Sequence, residues 1–427
     1  MTVRVLVTGA GGFIGGHVVA ALRAAGHTVR RGLRRAAPAD PESVACDFGA
    51  DTDPAAWAPR LAGIDAVVNA AGILREGGGV TFDAAHRGVP AALFTACQRA
   101  GVRRVVQVSA IGDPDATAFI GTKHAGDADL LGRDLDGVVV RPSLVWSPAG
   151  SYGGNSLIRA LAALPWVMPL SGGGGQRLQP IAAEDLARVV VALVEGRSTG
   201  VVEAVGPDTV TFADLLARLR AWMGFRPARP LSLPNGLTGA LAGLADLFVR
   251  GPFGTTMHRM LMTDNVGAPG ADQALRDATD VAPRPLDAVL AAHPSHVQDR
   301  WHARLYLLRP LLRLALAVLW IASGLVGLVL LARGTGDALA LVLGWPAGLT
   351  GGLILGLSVL DLVLGGLLLF RRWVVPVGAL MVLSTVGYTA VIGLAAPEMW
   401  LAPLGGLIKN IPLVPALLVM MAIEDPR

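Results

Sequence analysis

The sequence is poor in cysteine and in charge, and each shortage excludes something. Two cysteines among 427 residues, Cys46 and Cys97, exclude a disulfide framework and suit a reducing compartment. The sequence has no cluster of cysteines and histidines with the spacing of metal ligands. Charged residues make up 16% of the chain, against about 25% in an average globular protein. This deficit indicates that part of the chain lies in a solvent other than water.

The charge deficit is concentrated in the C-terminal part of the chain. Only eight residues between Leu311 and Ile423 are charged. Four apolar segments in this region are each about long enough to cross a hydrocarbon core of roughly 30 Å: Leu311–Leu331, Leu349–Phe370, Trp373–Ala395 and Leu401–Ile423. Residues 301–427 are therefore predicted to form an all-α transmembrane domain of four spans. A buried helical bundle in a large soluble protein is the alternative.

Arginines set the predicted orientation of this domain. Several precede the first span, Arg371 and Arg372 lie between the second and third, and Arg427 ends the chain. By the positive-inside rule, both termini are predicted to be cytoplasmic, in a bacterial-type inner membrane. The net charge of +4 is not accompanied by a basic stripe interleaved with aromatic residues. No nucleic-acid partner is therefore predicted, whereas a lipid bilayer is.

Short apolar strands alternate with helical stretches over the first 300 residues. Such alternation is typical of a parallel sheet that is covered on both faces. The predicted class is therefore α/β, a Rossmann-type doubly wound sheet over residues 1–300. Residues 146–300 are more irregular and are predicted to contribute a substrate lobe. The first predicted strands are Val3–Val7, Thr28–Leu33, Ala66–Asn69 and Val105–Val108.

A glycine-rich loop comes directly after the first strand. Gly9, Gly12 and Gly15 have the spacing at which a strand turns sharply, backbone approaches a diphosphate, and a helix packs closely on the sheet. Phe13 and Ile14 lie between the last two glycines. The diphosphate would meet the free N–H groups and the positive end of the helix dipole. Because the loop links a strand to a helix, it predicts a dinucleotide site.

The residues after the first helix indicate whether the site prefers NAD(H) or NADP(H). An enzyme that binds NAD places an acidic residue about 20 residues after the loop, where it holds the ribose 2′-hydroxyl. Residues 16–39 contain no Asp or Glu, and the expected position holds Arg34 and Arg35, shortly after Arg30 and Arg31. A guanidinium group pairs well with a 2′-phosphate. NADP(H) is therefore predicted in preference to NAD(H), although these arginines could instead form a solvated or headgroup-facing surface.

Further motifs occur after the loop in a recognisable order: Cys46-Asp47-Phe48, Asn69-Ala70-Ala71-Gly72, Val108-Ser109-Ala110 and Arg141-Pro142-Ser143. Together they resemble the extended and atypical short-chain dehydrogenases/reductases, including the branch of the NADPH-binding accessory subunit of mitochondrial complex I. This resemblance covers about residues 1–300. The segment from Pro403 to Leu413 resembles the DoxX-like membrane family, and that resemblance covers about residues 301–427.

The first resemblance implies roles for individual residues. Asp47 is expected near the adenine, and Ala70, Ala71 and Gly72 are expected to line the cofactor. Pro142 and Ser143 are expected near the nicotinamide.

The catalytic centre that the resemblance implies is incomplete. The family uses a tyrosine four residues before a lysine, together with an upstream serine; the lysine binds the ribose and lowers the tyrosine pKa. Ser109 and Lys123 occupy the serine and lysine positions, but Phe119 stands where the tyrosine is expected. Phenylalanine has no proton to transfer, so ordinary carbonyl chemistry is not predicted.

Three functions stay open at this point. NADPH could be a structural or sensing ligand, in a module that docks onto a membrane protein. Another group could supply the proton, with candidates Ser109, Asp113, Thr117 and His124. Finally, the acceptor could be a quinone or another lipid-soluble molecule, which the membrane domain would bring close.

Two charged residues interrupt the apolar spans. Asp361 lies in the middle of the second span and Lys409 in the last. Because a charge at this depth costs at least about 2.5 kcal/mol, each is expected to face the helical bundle. We predict that the two form a buried pair. The pair could belong to a small quinone or proton site or could simply fix helix packing, and Lys409 could instead reach the headgroups.

Overall fold

The computed structural model describes residues 2–36, 40–150, 153–248, 254–334, 340–341, 344–401 and 406–424. It divides into two compact units, Met1–Ala303 and Arg304–Arg427.

The first unit is built on a seven-stranded sheet in which every neighbouring pair of strands is parallel. The strand order is β11-β6-β5-β4-β1-β2-β3, so the chain moves outward from β1 first in one direction and then in the other. This is the Rossmann arrangement that the alternating pattern predicts. The strands are β1 (Arg4–Thr8), β2 (Thr28–Leu33), β3 (Ser43–Ala45), β4 (Ala66–Asn69), β5 (Arg104–Val108), β6 (Asp136–Pro142) and β11 (Gly200–Ala204).

Helices cover both faces of this sheet. Side chains alternate along a strand, so Val5 and Val7 join one buried cluster while Leu6 joins another. Apolar residues are therefore required at consecutive positions, which explains the unbroken apolar strands. The helices of this layer are α1 (Phe13–Ala24), α2 (Val89–Ala100), α3 (Ala118–Leu131) and α5 (Ala183–Glu195).

The chain after β6 builds a second core, centred on residues such as Trp146, Leu170 and Leu216. Part of residues 146–300 belongs to the main sheet, because α5 packs on α1 and β11 pairs with β6. The short strands in this part are β7 (Val145–Trp146), β8 (Val167–Ser171), β9 (Arg177–Leu178), β10 (Ile181–Ala182), β12 (Val210–Thr211) and β13 (Arg229–Leu233). The helices are α4 (Gly154–Ala163), α6 (Phe212–Trp222), α7 (Asn235–Phe248), α8 (Thr255–Leu261), α9 (Ala271–Thr279) and α10 (Leu286–Ala292).

The C-terminal part is helical, with α11 (Val297–Ala332), α12 (Ala347–Leu368), α13 (Val374–Ala395) and α14 (Leu413–Ile423). Among the described residues, three helices are long and apolar enough to cross a membrane: α11, α12, and α13 with the turn before it. Helix α11 begins at Val297, before the predicted membrane span that starts at Leu311. Its first turns are polar, so they can form a helix but are unsuited to the hydrocarbon core.

The fourth predicted span, Leu401–Ile423, is not one long helix. The structure has a 3₁₀ turn over Leu407–Asn410 and then the 11-residue helix α14. A helix of that length extends only about 16 Å. Pro412 immediately precedes α14, and proline both lacks an N–H donor and disfavours helical backbone before it. Residues 402–405 of the predicted span lie outside the described residues.

The predicted pair of Asp361 and Lys409 is also corrected. Asp361 accepts a hydrogen bond of 2.9 Å from the hydroxyl of Ser323, and among the described ion pairs none joins it to Lys409. The side chain of Lys409 is exposed, because the lysine lies in the 3₁₀ turn and not within a helix facing α12.

Candidate functional site

The glycine-rich segment between β1 and α1 leaves no room for a side chain at Gly9 or at Gly15. Gly9 has φ +67°, and a Cβ there would lie 2.8 Å from backbone atoms of Ala70 and Ala71. A Cβ at Gly15 would overlap the carbonyl oxygen of Gly9. Helix α1 begins with Gly12 as its N-cap, without a side-chain cap and without an acidic residue in its first turn. Its leading N–H groups, including those of Phe13 and Ile14, can therefore bind an anion.

A cavity of about 390 Å³ opens beside this loop. It brings together seven of the residues that the sequence predicts for the cofactor, from the loops that follow the carboxyl ends of four parallel strands, β1 to β4. Ligands of open α/β sheets bind at this edge. The seven residues are Gly9, Gly12, Arg34, Asp47, Ala70, Ala71 and Gly72.

The clustered arginines have different roles. Arg30 donates to the backbone carbonyl groups of Arg60 and Ala62, and Arg31 pairs with Asp40. Arg34 lines the cavity, and its side chain is exposed. Its guanidinium group is therefore the one of this cluster that a ligand in the cavity can reach.

A chain of buried amide and hydroxyl groups fixes the strand ends behind the cavity. The hydroxyl of Thr8 donates to Asn69 Oδ1 at 2.5 Å, and Asn69 Nδ2 donates to Gln107 Oε1 at 2.7 Å. These three side chains are at most 1% exposed. Because they join β1, β4 and β5, they hold Ala70 and Ala71 in register with Gly9.

Lys123 lies on α3 with its ammonium group directed at the edge of the sheet. It donates to the carbonyl oxygen of Val108 at 3.0 Å and to that of Ala71 at 3.4 Å. A Cβ at Gly72 would lie 3.0 Å from Nζ, so the lysine borders the cofactor-lining segment. Burial lowers the pKa of Lys123 to about 8, and the nearby charge of Asp127 opposes this shift.

Phe119 packs in a small aromatic cluster. Its ring meets the His86 ring edge-on at 5.3 Å and the Phe82 ring at 6.0 Å. His86 Nε2 accepts the N–H of Ile73, and Nδ1 bonds to the hydroxyl of Thr122 at 3.0 Å. Burial, together with the positive charge of Lys123, lowers the pKa of His86 to about 3. His86 is therefore neutral at physiological pH, and its sequence context carried no signal of this position.

Ser109 lies at the end of β5 and is bound to a carboxylate that sequence reasoning missed. Its hydroxyl donates to Asp127 Oδ2 at 2.8 Å, and Arg141 donates to the same oxygen at 3.0 Å. Asp127 has no exposed surface, and burial raises its pKa. The position of Asp127 one helical turn after Lys123 is the one signal that could have found it.

The other predicted residues differ in their access to the cavity. The carboxylate of Asp47 accepts the N–H of Gly49 at 2.8 Å and lines the cavity. Ser143 donates its hydroxyl to the carbonyl oxygen of Gln179. Neither Ser143 nor Pro142 is among the residues that line the cavity in the described part of the chain. Their predicted place beside a nicotinamide stays a prediction.

Comparison with known families gives a separate match for each part of the chain. Residues 9–196 match the NAD(P)H-binding family, and residues 317–418 match the DoxX-like family. The first match contains the glycine loop and Lys123. The second contains most of the apolar helices, in keeping with a membrane domain.

Three curated relatives match the N-terminal part. Epimerase family protein Mb2239 of Mycobacterium bovis is 31% identical over 56% of this chain and 84% of that protein. Ceramide reductase of Caulobacter vibrioides is 28% identical over 54% of this chain and 74% of its own length. Subunit 9 of the NADH dehydrogenase 1 alpha subcomplex of Arabidopsis thaliana mitochondria is 26% identical over 51% of this chain and 55% of the subunit.

Solved structures agree with this assignment at the level of the fold. UDP-N-acetylglucosamine 4-epimerase from Bacillus cereus is 16% identical, with a TM-score of 0.51 over 68% of this chain and 96% of the epimerase. The chain therefore belongs to the epimerase family of NAD(P)H-binding, short-chain dehydrogenase/reductase-like proteins, and it carries a DoxX-like domain in its C-terminal part.

Proposed function

We propose that this protein is a membrane-anchored NADP(H)-dependent oxidoreductase whose acceptor is a quinone or another lipid-soluble molecule. The observation that carries the proposal is the cavity, which has a glycine loop with free helix N–H groups and an exposed arginine in its lining. This combination is complementary to a diphosphate and to a second phosphate on a ribose.

Residues around the cavity are suited to hold the cofactor. The loop from Gly9 to Gly15 would bind the diphosphate, and Arg34 would pair with the 2′-phosphate. Asp47 would lie near the adenine, while Ala70, Ala71 and Gly72 would line the remaining part. Lys123, in its ammonium form, would donate to the ribose that bears the nicotinamide. When bound, NADPH would supply a hydride, and the acceptor would take up this hydride and one proton from solvent.

The choice of acceptor rests on Phe119. A hydrocarbon ring at this position cannot donate a proton, and with Phe82 it forms a buried apolar cluster against Ile73, which lines the cavity. An apolar acceptor is compatible with such surroundings. The membrane domain would keep a lipid-soluble acceptor at a high effective concentration. The name of one relative, a ceramide reductase, also refers to a lipid substrate.

The cofactor preference is tested by charge reversal at one arginine. Arg34→Glu is expected to weaken NADPH binding by at least about tenfold, because hydrogen bonds to a charged group contribute about 1.5–3 kcal/mol and the glutamate would in addition repel the 2′-phosphate. Its effect on NADH binding is expected to be small. Arg35→Glu is the matched control, since Arg35 is exposed but does not line the cavity. Equal binding of both nucleotides by the unaltered protein would contradict the NADP(H) preference.

The redox role is tested with the purified full chain in lipid nanodiscs. NADPH is added with a panel of quinones and lipid carbonyl compounds, and the absorbance of the reduced nicotinamide is monitored. Oxidation that depends on an apolar acceptor supports the proposal. If NADPH binds but is never oxidised, the protein is not a reductase for these acceptor classes.

A second candidate function is a catalytically inactive NADPH-binding module of a membrane complex. Two observations favour it: the absence of a phenol at Phe119, and the likeness to a subunit of the mitochondrial NADH dehydrogenase complex. This function predicts that a membrane protein partner co-purifies in mild detergent and that nucleotide stabilises the complex. A self-contained reductase would instead turn over without any partner.

We also propose that the N-terminal domain and both termini are cytoplasmic, in a bacterial-type inner membrane. The carboxylate of Glu424, near the C-terminus, pairs with Arg313 of α11 and with Arg371 of the turn before α13. This contact supports a common side for the start of the first span, the second loop and the C-terminus. Protease or cysteine-labelling access from each side of sealed vesicles tests the topology.

A further inference from the structure

Helix α7 has an apolar face that no other element covers in the described part of the chain. Leu237, Leu241 and Leu244 recur at a spacing of four and three residues, which places them on one side of a helix. Their exposed fractions are 49%, 47% and 53%. The buried side of the same helix carries Thr238 and Ala242. Because apolar area removed from water is stabilising, contact with an apolar surface would stabilise this face.

Arginines outnumber acidic residues in the segment that contains this stripe. From Met223 to Met262 the sequence has four arginines and one acidic residue, Asp246. That aspartate is already bound, because it pairs with Arg75 at 3.4 Å and caps α8 through Thr255. An apolar helix face with arginines nearby matches a surface that is apolar inside and negatively charged outside. Three of the four arginines, Arg226, Arg229 and Arg259, are exposed, and Arg250 lies outside the described residues.

The segment also reaches the candidate site. Arg75, which binds the backbone and side chain of Asp246 at the end of α7, comes shortly after the cavity-lining residues Gly72 and Ile73. In α8, Met260 packs against the cluster that contains Phe119. Helices α7 and α8 therefore connect the apolar stripe with the surroundings of Phe119.

We propose that the leucine face of α7 docks on the surface of an anionic phospholipid bilayer. Three helices of the same chain are long and apolar enough to cross a membrane. Lipid is therefore available to this face without a separate partner. The leucines enter the interface between headgroups and acyl chains, and the exposed arginines Arg226, Arg229 and Arg259 contact lipid phosphates. The inference goes beyond the proposed function, since docking requires neither bound nucleotide nor turnover.

The test uses the full chain in nanodiscs that contain anionic phospholipid. Leu241→Cys is labelled with an environment-sensitive fluorophore, which is selective because Cys46 and Cys97 are buried. Ala100→Cys, exposed at the end of α2, is the reference position. Docking predicts a blue shift in nanodiscs relative to detergent and loss of emission with lipids that carry a spin label near the headgroup, at position 241 but not at 100.

A second variant separates docking from mere tethering. In the Leu241→Cys background, Leu237→Ser with Leu244→Ser should abolish the lipid quenching, whereas Leu131→Ser, at an exposed leucine of α3, should not. Equal quenching at positions 241 and 100 overturns the proposal. So does a label that is already shielded in detergent and indifferent to lipid quenchers, because a protein surface would then cover the face. Neither result depends on whether NADPH is oxidised.

Discussion

The hydroxyl of Ser109 donates a hydrogen bond of 2.8 Å to a carboxylate oxygen of Asp127, which is completely buried. Arg141 donates to the same oxygen, whereas Oδ1 has no hydrogen-bond partner among the described residues. The sequence motif predicts a catalytic hydroxyl at Ser109. In the structure this hydroxyl also donates a hydrogen bond to the buried carboxylate of Asp127. A catalytic role of Ser109 therefore has to be distinguished from a stabilising one.

Replacement of the serine separates them. Ser109→Ala removes one of the two donors to a buried carboxylate, which is expected to cost about 1–3 kcal/mol of stability. Thermal unfolding in detergent measures this loss. A fall in the rate of NADPH oxidation per folded molecule would assign Ser109 to the catalytic machinery, and an unchanged rate would leave it a structural residue.

Two neighbouring glycines form a matched pair for testing the loop. In Gly15→Ala the new methyl group would overlap the carbonyl of Gly9, so the loop must move, at a cost of about 1–3 kcal/mol. Nucleotide affinity should fall with it. Gly16→Ala meets its nearest atom at 3.8 Å and should stabilise α1 by about 0.5–1 kcal/mol. Unchanged nucleotide binding in Gly15→Ala would contradict the site.

Nucleotide affinity is expected to depend on pH through Lys123. Burial lowers the pKa of this lysine to about 8, and only the ammonium form can donate all its hydrogen bonds to a ribose. Affinity should therefore fall as the pH rises through about 8. Lys123→Met should bind more weakly and without this dependence. A titration of the dissociation constant against pH measures both, and a parallel pH profile in the variant would exclude Lys123 as the cause.

Phe119→Tyr restores the missing phenol one helical turn before Lys123. We expect this variant to gain reduction of carbonyl compounds with NADPH, because a phenol can donate the proton that the product requires. Phe82→Tyr is the control, since its ring lies in the same cluster but on a different segment. Activity gained in both variants, or in neither, would mean that the pocket is not organised as in the family.

We expect the stability of the fold to decrease in acid because of His86. Its pKa is lowered from 6.5 to about 3 by burial and by Lys123, so the unfolded chain binds a proton at a higher pH than the folded chain. Stability should therefore decrease as the pH falls from 6.5 toward 3, by about 1.4 kcal/mol for each unit of the difference. In His86→Gln the midpoint of thermal unfolding should change less over this range. His296→Gln, at an exposed histidine, should behave like the unaltered protein.

Features that depend on local spacing could be predicted from the sequence, and features that depend on distant contacts could not. The glycine loop and strands such as Ala66–Asn69 are determined by neighbouring residues. Arg31 is held by Asp40 and Arg30 by carbonyl groups near residue 60, which leaves Arg34 at the cavity. These contacts are distant in sequence, so the sequence could name Arg34 as a candidate but could not show that Arg31 is bound elsewhere. The aromatic partner His86 is 33 residues from Phe119, and no periodicity links them.

The membrane part illustrates the same limit. Hydropathy predicts apolar length but not where a helix ends, and the proline at the start of α14 divides the last predicted span. The predicted pair with Asp361 failed for a related reason, since it required Lys409 to continue a helix that the chain interrupts at this point.

The leucine face of α7 has a kinetic consequence if it rests on lipid. A reactant dissolved in the bilayer would meet the protein by lateral diffusion in two dimensions. The turnover rate would then depend on the mole fraction of that reactant among the lipids, and dilution with inert phospholipid would slow it at constant total concentration.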